Sequence, residues 1–173
     1  MNKHPNARCL GAIAPLMILV GALLAPREAS AQFRASAYGG VERISGNGQS
    51  SMSFMARAEG TVGFIPWLQA GAYVETLSGF DEGRTGWGAG ALATLRPGLP
   101  GTSVDPMGYA SVGYQRAPAG SIFSSGFLFE LGAGLSWHAM PVLDVELRGG
   151  YVGLFGDDKM HGFSAGLGLS LHP

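Results

Sequence analysis

The chain has 173 residues with 11 basic and 12 acidic side chains, for a formal net charge of −1. Without a Lys/Arg excess or a clustered basic run, it carries no argument for a nucleic-acid partner. Its one cysteine, Cys9, excludes a disulfide-stapled fold and a thiolate metal site.

Residues 1–31 read as a secretory signal peptide. Lys3 and Arg8 make a positive start, an apolar run covers residues 10–24, and Ala29-Ser30-Ala31 supplies the small residues of a cleavage site. The run is shorter than the ~20 residues a spanning helix needs, and Pro15 interrupts it. Cys9 precedes the run, so it is not placed to carry a lipoprotein anchor. The expectation is one exported domain, residues 32–173.

From Phe33 onward apolar residues recur every second position, the signature of strands, whose successive side chains point to opposite faces. A first strand over residues 33–43 puts Phe33, Ala35, Ala37, Gly39 and Val41 against Arg34, Ser36, Tyr38, Gly40 and Glu42. After a polar loop at 45–51, a second strand at 52–64 sets Met52, Phe54, Ala56 and Val62 against Ser53, Met55, Arg57 and Glu59. Ile65-Pro66-Trp67 reads as a tight turn, where a missing N–H is tolerated. The third strand, 68–77, opposes Ala70, Ala72 and Val74 to Gly71, Tyr73 and Glu75. A charged loop at 79–85 leads to a fourth strand at 86–96, with Trp87, Ala89, Ala91, Ala93 and Leu95 on one side.

Residues 97–106 read as a long Pro/Gly-rich connection. The fifth strand, 107–116, is less regular, with Ala110, Val112 and Tyr114 assigned to the apolar face. A loop at 117–121 precedes a sixth strand that starts at Ile122 or Phe123 and runs to His138. It sets Phe127, Phe129, Leu131, Leu135 and Trp137 against Leu128, Glu130, Gly132, Gly134 and Ser136. Ala139-Met140-Pro141 turns the chain into a seventh strand, with Leu143, Val145, Leu147 and Tyr151 against Asp144, Glu146 and Arg148. Beyond a loop at 155–161, the eighth opposes Phe163, Leu167, Leu169 and Leu171 to Ser164, Gly166, Gly168 and Ser170.

The polarity of the two faces decides the environment. A soluble sheet shows Lys, Glu and Thr to water and hides bulky apolar groups behind. Here the apolar face is the continuous one, and the other is mostly Gly, Ser and a few charges. Apolar outside and small or polar inside is the pattern of a transmembrane β-barrel, which must close because hydrocarbon leaves no partner for a free backbone edge. The expected fold is therefore all-β, an eight-stranded antiparallel up-and-down transmembrane barrel. Its lumen at that size is just wide enough for side chains to fill. The soluble alternative, a lipocalin-like ligand-binding barrel, requires the Phe and Leu faces to turn inward.

Aromatic residues cluster at strand ends, as in the interfacial girdles of membrane proteins. Phe33, Phe64, Trp67, Tyr109 and Trp137 are assigned to one rim, and Trp87, Tyr151 and Phe163 to the other. The inward charges Arg57, Glu59, Glu75, Arg96, Glu130, Asp144, Glu146 and Arg148 form the clearest polar group. Buried ions must be paired, so the first reading is an ion-pair network that plugs the lumen. A narrow, charge-lined ion path is the alternative.

His161 and Ser164 stand three apart on one strand and so face opposite ways, which argues against a nucleophile and its base. Asp157, Asp158, Lys159 and His161 read as a solvated loop tip, and His138 as a rim residue beside Trp137. No catalytic residue, cofactor or metal ligand is assigned.

The last strand carries a pattern of polar residue, Gly and two hydrophobic residues one apart: Ser164, Gly166, Leu169 and Leu171. In this it resembles the small bacterial outer-membrane β-barrels of the OmpA-like and OmpX-like group, although it ends Leu171-His172-Pro173 instead of on an aromatic. The resemblance implies an outer-membrane location, lipid contact, recognition by the barrel assembly machinery, and both termini in the periplasm. It also implies a structural or surface-interaction role through four modest external loops, with a small-solute pore or a lipid A-modifying enzyme as alternatives. No external partner can be named. A closed barrel has no free edge to pair and can stand as a monomer.

Overall fold

The computed structural model describes residues 33–46, 48–65, 67–80, 84–119, 122–156 and 159–172. The expected signal peptide lies outside them. Eight strands follow in order: β1 (Phe33–Gly46), β2 (Gln49–Ile65), β3 (Leu68–Gly79), β4 (Thr85–Leu95), β5 (Val104–Ala119), β6 (Ile122–Met140), β7 (Leu143–Gly156) and β8 (Lys159–Leu171). Each pairs antiparallel with its neighbours in sequence, and β8 closes on β1, so the sheet is a barrel without an edge. The expected class and strand number are therefore found.

Alternation puts the apolar side chains outside. In β8 exposed and buried positions alternate along the strand, with Phe163 69 % and Leu167 58 % exposed while Ser164 and Ser170 are buried. Leu131 on β6 and Leu147 on β7 extend the belt. A soluble barrel with these groups inside is thereby overturned.

Several boundaries differ from the sequence reading. The ladder runs almost to the hairpin tips: Ser45 pairs with Ser50, Gly46 with Gln49, and Phe155 with Lys159. Residues assigned to loops at 45–51, 117–121 and 155–161 are mostly strand, because Gly and Ser break a strand only where the ladder lacks a partner. Gly48, with φ +76°, takes the left-handed turn that a side chain would resist. Two of the external loops anticipated as contact sites are thus narrowed to the short stretches between Gly46 and Gln49 and between Phe155 and Lys159. At the opposite end, β5 starts at Val104 and includes Pro106, so the long connection shrinks to residues 96–103.

The lumen has two halves. Near the end where β1 begins and β8 finishes, the terminal end, it is polar and charged. Toward the hairpin end it is filled by Ile44, Leu77, Leu128, Leu154 and Met160, all buried. The inward glycines make room for tyrosines. A Cβ on Gly132 would lie 2.4 Å from the Tyr109 ring and 2.5 Å from the Gly149 carbonyl oxygen. Because one obstacle is backbone, rotating Tyr109 cannot relieve both contacts. Gly132→Ala is expected to cost about 1–3 kcal/mol, the range of overpacked cores. A lower temperature for the unboiled-to-boiled mobility change on detergent gels would register it.

Tyr109 itself corrects the girdle assignment. It is 3 % exposed and points into the lumen. With Ala110, Val112 and Tyr114 outward, period two forces Met107, Tyr109 and Ser111 inward. Trp67 and Trp137 are exposed at the terminal end, and Phe33, at the start of β1, is half-buried. Trp87, Tyr151 and Phe163 are exposed toward the other end, where Trp87 lies 5.7 Å from Tyr114 and Tyr151 5.8 Å from Phe163. The Phe64 side chain lies outside the described set.

Candidate functional site

All eight charged residues expected in the lumen are buried, and the barrel brings them into one region. Toward the terminal end, Arg34 of β1 donates to Asp144 and lies 3.3 Å from Glu146 of β7. Arg96 reaches the same Glu146 at 2.8 Å, and the Tyr38 hydroxyl donates to it as well. Ser36 and Ser170 meet at 2.9 Å below.

The central cluster is built on Arg57 of β2. It lies 2.8 Å from Glu59, 2.6 Å from Glu130 and 3.7 Å from Glu75, and its guanidinium stacks 3.8 Å over the Tyr73 ring. Glu59 is shared with Arg148 at 2.8 Å, and Arg148 lies 3.5 Å over the Tyr38 ring. Glu130 also accepts from Tyr109 at 3.0 Å, Ser111 at 3.3 Å and Ser164 at 2.5 Å. These hydroxyls supply the hydrogen bonds that one guanidinium cannot, and a buried carboxylate is tolerated only when so satisfied. Above them, Gln115 bridges Glu42 at 3.1 Å and Glu75 at 3.3 Å.

Arg34 and Glu42, assigned to the inner face but not to the expected charge network, belong to it. Tyr38, Tyr73, Tyr109 and Gln115 were missed as members too. Period two carried the signal for each of them. Polarity gave no guide to the tyrosines, which are amphipathic and suit either a girdle or a lumen.

Ser164 and His161 do not meet. Ser164 is committed to Glu130 inside the barrel, while His161 is exposed on the outer wall, 6.4 Å from the Tyr151 ring. Asp157 and Asp158, assigned to the same tip as His161, lie outside the described residues. A shallow outer groove of about 320 Å³ crosses β1 to β4, lined by Ala37, Ala56, Val74, Ala89 and Trp87. It follows from the small residues of those strands, against the Phe and Leu of β6 to β8.

One cluster was not foreseen. At the terminal end, His138 Nδ1 lies 2.7 Å from Asp144 Oδ1, and His172 Nε2 reaches the same oxygen at 3.0 Å. His138 Nε2 in turn lies 2.8 Å from Asp105 Oδ2. The four residues come from β5, β6, β7 and the tail beyond β8. His138 was read as a rim residue and stands there, with its side chain 38 % exposed. Nothing in the spacing of these four positions announces their meeting.

The barrel matches solved structures. Neisserial surface protein A superposes with a TM-score of 0.70 at 16 % identity, over 82 % of this chain and 97 % of that one. The N-terminal β-barrel domain of Pseudomonas aeruginosa OprF superposes with a TM-score of 0.56 at 13 % identity, over 82 % and 98 %. No protein-family model matches the chain, and no curated protein matches it in sequence. The chain has the fold of the small eight-stranded outer-membrane β-barrels, and its outward apolar belt is the surface such a barrel turns to lipid.

Proposed function

We propose that residues 1–31 export this protein and that it acts as an integral outer-membrane barrel with a closed lumen, in a structural or surface-contact role and without catalysis. The observation that carries this reading is the continuity of the interior. Arg34, Arg57, Arg96 and Arg148 bridge acids of facing strands, and Ile44, Leu77, Leu128, Leu154 and Met160 fill the other half. A conducting lumen needs hydrated charges that stay free to meet ions. Arg57 and Arg148 are engaged with carboxylates and tyrosine rings, and Arg34 and Arg96 with carboxylates.

Both termini then face the periplasm and the short hairpins face outward, so surface contacts fall to hairpin tips and the aromatic rim. The β8 pattern at Ser164, Gly166, Leu169 and Leu171 is the element offered to the assembly machinery. With β8 paired to β1 there is no open edge, which favours a monomer surrounded by lipid. In planar bilayers, the purified barrel is expected to leave the current at the lipid baseline. Stable single-channel steps from the wild type would replace this reading with a narrow pore.

A further inference from the structure

We propose that His138, Asp144 and His172 bind a first-row divalent transition cation at the mouth of the terminal end, with Asp105 holding His138 from behind. Each of the three residues offers a ligand atom, and these atoms all lie within 4.8 Å of one another, with Asp144 Oδ1 2.7 Å from His138 Nδ1 and 3.0 Å from His172 Nε2. A tetrahedral zinc centre with bonds of about 2.0–2.1 Å separates its ligand atoms by about 3.3 Å, so small side-chain rotations suffice. Two imidazoles and one carboxylate favour zinc, copper or nickel over magnesium or calcium, which prefer oxygen. Three protein ligands leave a fourth position for water, and the exposure of His138 opens a route from solvent.

What surrounds the three ligands points the same way. A metal-bound imidazole ordinarily donates its other N–H to a carboxylate, which sets its tautomer and orientation. Here that partner is Asp105, 2.8 Å from His138 Nε2 and itself held by the Leu99 N–H at 2.8 Å. The connection at residues 96–103 thus acquires a purpose. On the far side, Asp144 Oδ2 is held by Arg34 and by Ser136, leaving Oδ1 to the two histidines. The tail is anchored too, because the His172 N–H donates to the Val142 carbonyl at 3.1 Å.

The two nitrogens of His138 both face carboxylates. A neutral ring has one proton and satisfies one of them. A cation in place of the Nδ1 proton satisfies Asp144 while Nε2–H still serves Asp105. The competing arrangement is a doubly protonated ring with no metal, and the two differ in a measurable way.

The test is titration of the full barrel, refolded in detergent, with Zn²⁺ by calorimetry and with Co²⁺ by visible absorption. The expected result is one equivalent bound and tetrahedral cobalt bands, with no uptake of Mg²⁺. His172→Ala and His138→Gln should each abolish that equivalent. Asp105→Asn should weaken it by about 10- to 100-fold, the usual cost of losing an outer carboxylate. His161→Ala, on the outer wall, should leave it unchanged. Unboiled gel mobility verifies a closed barrel in each variant, and His172 lies beyond β8, so its removal spares the ladder. No uptake by the wild type would leave only the protonated cluster and overturn the proposal. Uptake unchanged in both histidine variants would overturn it as well.

Discussion

Arg57→Ala is expected to destabilise the folded barrel by about 3–5 kcal/mol, the cost of removing one partner from a buried ion pair. The side chain is 1 % exposed and stands among Glu59, Glu75 and Glu130. After truncation these acids fare differently. Glu59 keeps Arg148 at 2.8 Å, and Glu130 keeps Tyr109, Ser111 and Ser164. Glu75 keeps Gln115 at 3.3 Å, which is shared with Glu42. Most of the penalty therefore falls on Glu75, and Arg57→Ala combined with Glu75→Gln should recover part of it. Urea unfolding in lipid vesicles measures both. A loss under about 1 kcal/mol for the single variant would mean that water already enters the lumen and screens these charges.

Leu131→Arg is the second large effect, acting from outside. Leu131 stands near the middle of β6, 63 % exposed, between Ala110 of β5 and Tyr151 of β7. An arginine on the lipid face of a barrel costs about 2–4 kcal/mol at the bilayer midplane and falls to about 0–1 near the interface. Ala139→Arg, on the same strand at the terminal end, supplies the interfacial comparison. The expected difference in unfolding free energy is therefore about 2 kcal/mol or more. Equal costs at the two positions would show that the belt around Leu131 is not in hydrocarbon.

Both expectations depend on which face a residue occupies, and that much was legible locally. Strand direction and face follow from the φ/ψ of one residue after another, so period two in β6, β7 and β8 announced itself in short windows. Tyr109 shows how the same rule can be misapplied: its aromatic character suggested a rim, but the alternation set by Ala110, Val112 and Tyr114 already sent it inward. The hairpin ends were misread for a related reason. Ser45, Gly46 and Lys159 have loop-like composition, yet each finds a ladder partner across its own turn.

The amino-acid sequence by itself determined that this chain forms eight alternating strands, that they close, and which side chains meet lipid. Tertiary structure alone decided which inner side chains meet one another. Arg34 and Asp144 are 110 positions apart, and Arg57 and Glu130 are 73. Asp105, His138, Asp144 and His172 converge only once β5 to β8 stand side by side. The physical reason is that face is a local property of the backbone. Contact across a lumen depends instead on register, strand tilt and barrel radius, which exist only when β8 has paired with β1.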